Sequence, residues 1–187
     1  DFSNADWTKG SLTVSGNEIT PDAGSVTPNL QGPGAYPKTS SLSVIAEANG
    51  YDFLRLVLHD SSNPAYWSAA TFDLTNGDTN VFDYQQFSGG VAQATDLGDG
   101  RYLCTLTSTC ALDIDQLFIQ PATTLSISTS DGRGRETFTA DGTSGILLYQ
   151  AQLNEGDNAD DYVKTEDEPY SFKGDETQLN DYSASNN

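Results

Sequence analysis

The sequence predicts an all-β fold, a two-sheet antiparallel β-sandwich of jelly-roll type. Composition is the first observation behind that reading. The 187-residue chain is only 36% hydrophobic and carries 17 Gly, and Ser, Thr, Asn and Asp outweigh the Leu, Ala, Glu and Lys that helices favour. The second is period. Apolar and polar residues alternate along the chain, the pattern of a half-buried strand. The third is punctuation: Gly, Asn and Asp cut the alternation into about ten short runs at regular spacing.

The elements follow in order. Residues 11–16 (SLTVSG) read as a short strand. The proline-rich stretch 17–40 (NEITPDAGSVTPNLQGPGAYPKTS) reads as an irregular crossing segment. Residues 41–50 (SLSVIAEANG) and 51–60 (YDFLRLVLHD) alternate around a Gly turn. In the second, Leu54, Leu56 and Leu58 fall on the core face, and Phe53, Arg55, Val57 and His59 on the other, toward solvent or a groove. Residues 68–77 (SAATFDLTNG) bury Phe72 and Leu74 and end in an Asn-Gly turn. Residues 82–87 (FDYQQF), 91–100 (VAQATDLGDG) and 101–109 (RYLCTLTST) continue the pattern, the last pair joined by Asp99-Gly100. Tyr102, Cys104 and Leu106 form an inward row, and Phe118 is buried within 113–122 (DIDQLFIQPA). Residues 124–132 (TLSISTSDG), 136–142 (ETFTADG) and 144–153 (SGILLYQAQL) complete the set, the last with Gln150 and Gln152 on one face and Tyr149 and Leu153 on the other.

The sandwich is expected to span residues 1–163, followed by an acidic arm, 164–187. In the arm Glu166, Asp167, Glu168, Asp175, Glu176 and Asp181 face only Lys164 and Lys173. Its large apolar or aromatic groups are Tyr170, Phe172, Leu179 and Tyr182. Fixing a residue costs about 1–2 kcal/mol of backbone entropy, and burying one such side chain returns about 1.5–3 kcal/mol. Four anchors fall short over such a length, so the arm is expected to be ordered by a partner subunit, through strand addition or docking on a more basic surface.

The net charge of −19 excludes a nucleic-acid binder, which needs a basic footprint. It equally argues against an anionic membrane surface, and no long apolar run predicts a membrane insertion. Cys104 and Cys110 show no zinc-type spacing; they share one strand face and are too far apart to bridge unless the chain turns between them. Two buried free thiols are expected. The chain begins without Met, as a processed chain, a fragment or a sequence lacking its start would.

Sugar recognition needs an aromatic face for the C–H face of the ring, with amides, carboxylates and Arg forks for the hydroxyls. Arg55, His59, Gln150 and Gln152 would form a polar floor if their two strands share a sheet. Tyr66 and Trp67 stand side by side in an expected loop, SSNPAYWSAA, and offer a stacking platform. The same residues also fit a solvated outer face and a loop folded over the sandwich edge with Trp67 buried. Asp141 in TADGTSG is a weak candidate ligand for a structural Ca²⁺. Among 27 acids, carboxylate pairs are easy to find, and no local motif marks a catalytic pair. No enzymatic activity is expected.

Five blocks, in order from Asp1 to about Val163, resemble a family of carbohydrate-binding-module-like β-sandwich domains of phage and prophage tail proteins, also found attached to polysaccharide-degrading enzymes. They are DFSNADWTK, YDFLRL, FDLTNG, DLGDGRYLCTLT and FTADGTSGILLYQAQLNEGDNADDYV. The chain departs from the family pattern at Arg101 and Tyr149, where the family has Trp, at Leu103, where it has Arg, and at Gln150, where it has Gly. The resemblance implies a non-enzymatic virion appendage such as a tail fibre, head fibre or decoration protein. Its partners would be host-surface carbohydrate and other virion subunits, as an extracellular homo-oligomer. A purely structural virion subunit, and an accessory module of a secreted polysaccharide-degrading enzyme, are the alternatives.

Overall fold

The computed structural model describes residues 2–32, 34–128 and 132–158. Two six-stranded antiparallel sheets pack against each other as a β-sandwich. With strands numbered along the chain, the first sheet runs in space β1 (Thr8–Gly10), β5 (Asn29–Gly32), β12 (Gln116–Ala122), β7 (Phe53–His59), β8 (Trp67–Asp73), β9 (Thr79–Tyr84). The second runs β10 (Phe87–Gly98), β11 (Arg101–Cys110), β6 (Thr39–Asn49), β14 (Gly145–Glu155), β3 (Glu18–Pro21), β2 (Leu12–Ser15). A two-stranded ribbon joins β4 (Gly24–Val26) to β13 (Phe138–Ala140).

The pairings are nested. β7 pairs with β8, β6 with β11, β5 with β12 and β3 with β14. This is the path of one long hairpin wound around a common core, which defines a jelly roll. β1, β2, β9 and β10 widen its two sheets at their edges.

The core lies where alternation placed it. Leu54, Leu56, Leu58 and Phe72 of the first sheet meet Leu42, Val44, Cys104 and Leu106 of the second, all essentially inaccessible, with Leu74 and Tyr102 at the margins. Each such aliphatic or aromatic side chain contributes about 1.5–3 kcal/mol by leaving water. Cys104 and Cys110 are free and buried, both on the inward face of β11, and desolvation pushes the Cys104 thiol well above its ordinary pKa. Asp99 and Gly100 both take positive φ (55° and 78°) between paired Gly98 and Arg101. That is the two-residue turn an Asp-Gly pair favours.

Three expected elements differ. The proline-rich stretch 17–40 is not irregular throughout: it contains β3, β4 and β5, with Pro21 closing β3. Residues 82–87 are not one strand. They end β9, turn at Gln85 (φ 59°) and begin β10, so Phe87 returns to the core. The stretch 124–132 carries no strand among its described residues. It belongs to a strap, residues 123–128 and 132–137, that crosses the outer face of the first sheet. Phe118 is buried as expected, but in a second apolar cluster beneath this strap, with Val57, Trp67 and Ala69.

Candidate functional site

The two sheets present outer faces of opposite character. On the first, the strap makes a lid. The Arg55 guanidinium donates to Thr71 Oγ1 (2.9 Å) and to the Ser126 carbonyl (2.6 Å), and lies 3.4 Å from Glu136 Oε2. Gln120 Nε2 donates to the Glu136 carbonyl (3.2 Å). The Arg135 guanidinium sits 4.9 Å above the Phe118 ring, and Ile127 packs on the same cluster.

Arg55, His59 and Trp67 all sit under or beside this cover, at 0%, 1% and 0% exposure. Alternation placed Arg55 and His59 on the outer face correctly, but that face is closed, so neither reaches solvent or a groove. Trp67 is not in a loop. It opens β8 and pairs in register with His59. Tyr66 is half-buried and packs on the main core. His59 Nδ1 lies 3.0 Å from Gln116 Oε1, and burial lowers its pKa.

Gln150 and Gln152 lie on β14, in the other sheet. The expected floor joining them to Arg55 and His59 therefore does not form. They belong instead to the outer face of the second sheet, which is open among the described residues. Registered rows cross β10, β11, β6 and β14 there: Val91–Thr107–Ser41–Asn154, Gln93–Thr105–Ser43–Gln152 and Thr95–Leu103–Ile45–Gln150. Side chains on these outward positions repeat about every 6.6–7 Å along a strand. Cross-strand hydroxyl pairs fix the rows: Thr39–Thr109 (2.9 Å), Ser41–Thr107 (2.7 Å) and Ser43–Thr105 (3.3 Å). Ser41 gives its proton to the Gly156 carbonyl (3.1 Å), so Thr107 donates to Ser41. A depression of about 550 Å³ opens over β10 and β11, with Asp157 and Asn158 walling its Thr39 side.

At the far end of this face the sequence reading missed the main feature. Leu148 pairs with Ala46 and Gln150 with Ile45, which leaves Tyr149 as the extra residue of a β-bulge. The bulge reverses inward and outward beyond it. Tyr149, expected opposite Gln150, is 39% exposed and meets outer-face groups. Its hydroxyl donates to Glu47, and the Arg101 guanidinium lies 5.6 Å from its ring centroid. By accepting that proton, Glu47 holds the phenol above its ordinary pKa. Arg101 in turn lies 3.7 Å from Asp99. Alternation in RYLCTLTSTC puts Arg101 on the face of Leu103, Thr105 and Thr107, which is the signal that could have found it.

Asp141, the weak cation candidate, is engaged within its own loop. Its carboxylate accepts from Thr143 N (2.8 Å), Ser144 N (2.7 Å) and Ser144 Oγ (2.7 Å), closing its own turn. These bonds, led by Ser144's, hold its pKa well below the carboxylate range. Among the described residues no group of three or more His, Cys, Asp or Glu is placed to hold a metal ion, and no helix is long and apolar enough to cross a membrane. Tyr170, Phe172, Leu179 and Tyr182, the expected anchors of the arm, lie outside the described residues.

Chemically, the open face offers hydroxyls, amides, small apolar patches and one exposed aromatic ring with an Arg beside it. No family model matches this chain, and no curated protein matches it.

Proposed function

We propose that the chain is a non-enzymatic glycan-binding β-sandwich whose ligand lies on the outer face of the second sheet. The observation that carries this reading is the exposed Tyr149 ring, flanked by Arg101 and Glu47, on the same outer face as rows of Thr, Ser and Gln side chains and a depression over β10 and β11. An aromatic face, planar amides and hydroxyls are the groups that a sugar's C–H face and hydroxyls call for. The four departures from the tail-protein pattern add support. Arg101, Leu103, Tyr149 and Gln150 all fall on or beside this one face, where a family of related binders would vary its ligand. The same resemblance supports a place on a virion appendage and a role in host-surface attachment.

A structural virion subunit without a sugar ligand is the second reading. Three hydroxyl pairs satisfy one another across β6 and β11, as the outer face of a scaffold would. A glycan array probed with the full chain separates the two. Binding is expected, and Tyr149→Ala should weaken it by about 1–3 kcal/mol, roughly 5- to 150-fold, on the scale of other stacking contacts. A silent array, or binding that Tyr149→Ala leaves intact, rejects the assignment.

A further inference from the structure

We infer that the open face takes an uncharged polysaccharide and rejects uronate and sulfated glycans. The inference rests on the glycan-binding reading and names the ligand class for that site. Among the described residues, Asp157 is the one charged side chain that lines the depression, and it is an acid. The rest of that lining offers the hydroxyls of five threonines, the amides of Gln93 and Asn158, and apolar Val91 and Leu103. Such groups exchange hydrogen bonds with neutral hydroxyls and cover C–H surface. They supply no counter-charge for a carboxylate or sulfate.

Two cations border this surface among the described residues: Lys38, next to Thr39, donates to the Ala111 carbonyl (3.2 Å), and Arg101 is already flanked by acids. Asp99 lies 3.7 Å from its guanidinium, and Glu47 holds the hydroxyl of the ring that the guanidinium faces. An Arg that recognises an anionic sugar presents an open bidentate fork; here Nη2 lies toward Asp99 and the guanidinium faces the Tyr149 ring. The field of the whole chain acts in the same direction. A net charge of −19 repels a polyanion, over a screening length of about 8 Å at physiological ionic strength.

The test uses the full chain in affinity electrophoresis against dextran, galactomannan and glucomannan on one side and alginate, polygalacturonate and dextran sulfate on the other, each at low and high salt. Retardation by a neutral polymer, unchanged by salt, is expected, with none from the acidic polymers. The carboxymethyl derivative of whichever neutral polymer binds should lose affinity by about tenfold or more at low salt. Stronger binding to an acidic polymer, or a carboxymethyl derivative that binds as well as its parent, overturns the charge inference and leaves the glycan reading standing. If neither class retards the chain and a mixed neutral and acidic glycan array is also silent, the glycan reading itself fails.

Discussion

His59 carries a pH dependence that its surroundings define. Its ring lies 5.9 Å from Phe118 and bonds through Nδ1 to Gln116. Desolvation lowers its pKa, and the Arg133 charge adds to this, while the Gln116 bond and the Asp115 charge act in the opposite sense. The unfolded chain titrates this group near its ordinary value of about 6.5. Between the lowered folded pKa and that value, the unfolded state binds more protons than the folded one. Stability contributed by neutral His59 is therefore whole above about pH 6.5 and is lost as pH falls toward the folded pKa. Urea denaturation across mildly acid pH should show wild type losing stability more steeply than His59→Gln. The difference between the two isolates His59 from the many carboxylates. Parallel pH profiles would show that His59 does not titrate in this window. Arg55 teaches the same lesson about partners. Its position on the outer face was readable from RLVLH, but its bonds run to Ser126 and Glu136, far along the chain, and no local pattern announces them.

At the scale of elements, alternation reports which residues share a face and stays silent on what covers the face. The strap makes that difference for the first sheet, and the bulge at Tyr149 makes it for the second. A bulge adds one residue and inverts parity, so a period-two reading of GILLYQAQL cannot hold from end to end. Gly134 is where the strap is pinned. It has φ +75°, and a Cβ added there would come 2.6 Å from Cε3 of Trp67. Gly134→Ala should cost at least the roughly 1–2 kcal/mol of a left-handed non-glycine residue, and the clash adds to it. The strap should lift from the Trp67–Phe118 cluster. Red-shifted tryptophan emission and faster acrylamide quenching than wild type are expected, with Tyr149-dependent glycan binding unchanged on the opposite sheet. Emission identical to wild type would mean that the strap does not seal Trp67.

For the molecule as a whole, the sandwich was legible because the inward rows were mostly apolar, with Ser40, Ser68 and Ser108 the buried exceptions. Its nested strand order was not, because β3 finds β14, and β5 finds β12, across long stretches of intervening chain. The open face was hidden for the same reason: both outer faces mix polar and apolar residues, and only the folded chain shows which one the strap covers. The acidic arm is a separate matter, since its sequence alone sets the expectation. Among the described residues the last strand, β14, ends at Glu155, and residues 164–187 lie outside the described residues. Removing them should leave the melting temperature of the sandwich unchanged. What they should remove is assembly. Tyr170, Phe172, Leu179 and Tyr182 are too few to order the arm on their own, and its excess of acids favours a more basic docking surface on a neighbouring subunit. Light scattering on the full chain should therefore give an oligomer whose mass falls with added salt. The chain truncated after Val163 should be a folded monomer with the same calorimetric transition. A truncated chain that keeps the oligomer mass, or a full chain that is monomeric at every salt concentration, would remove the arm from assembly.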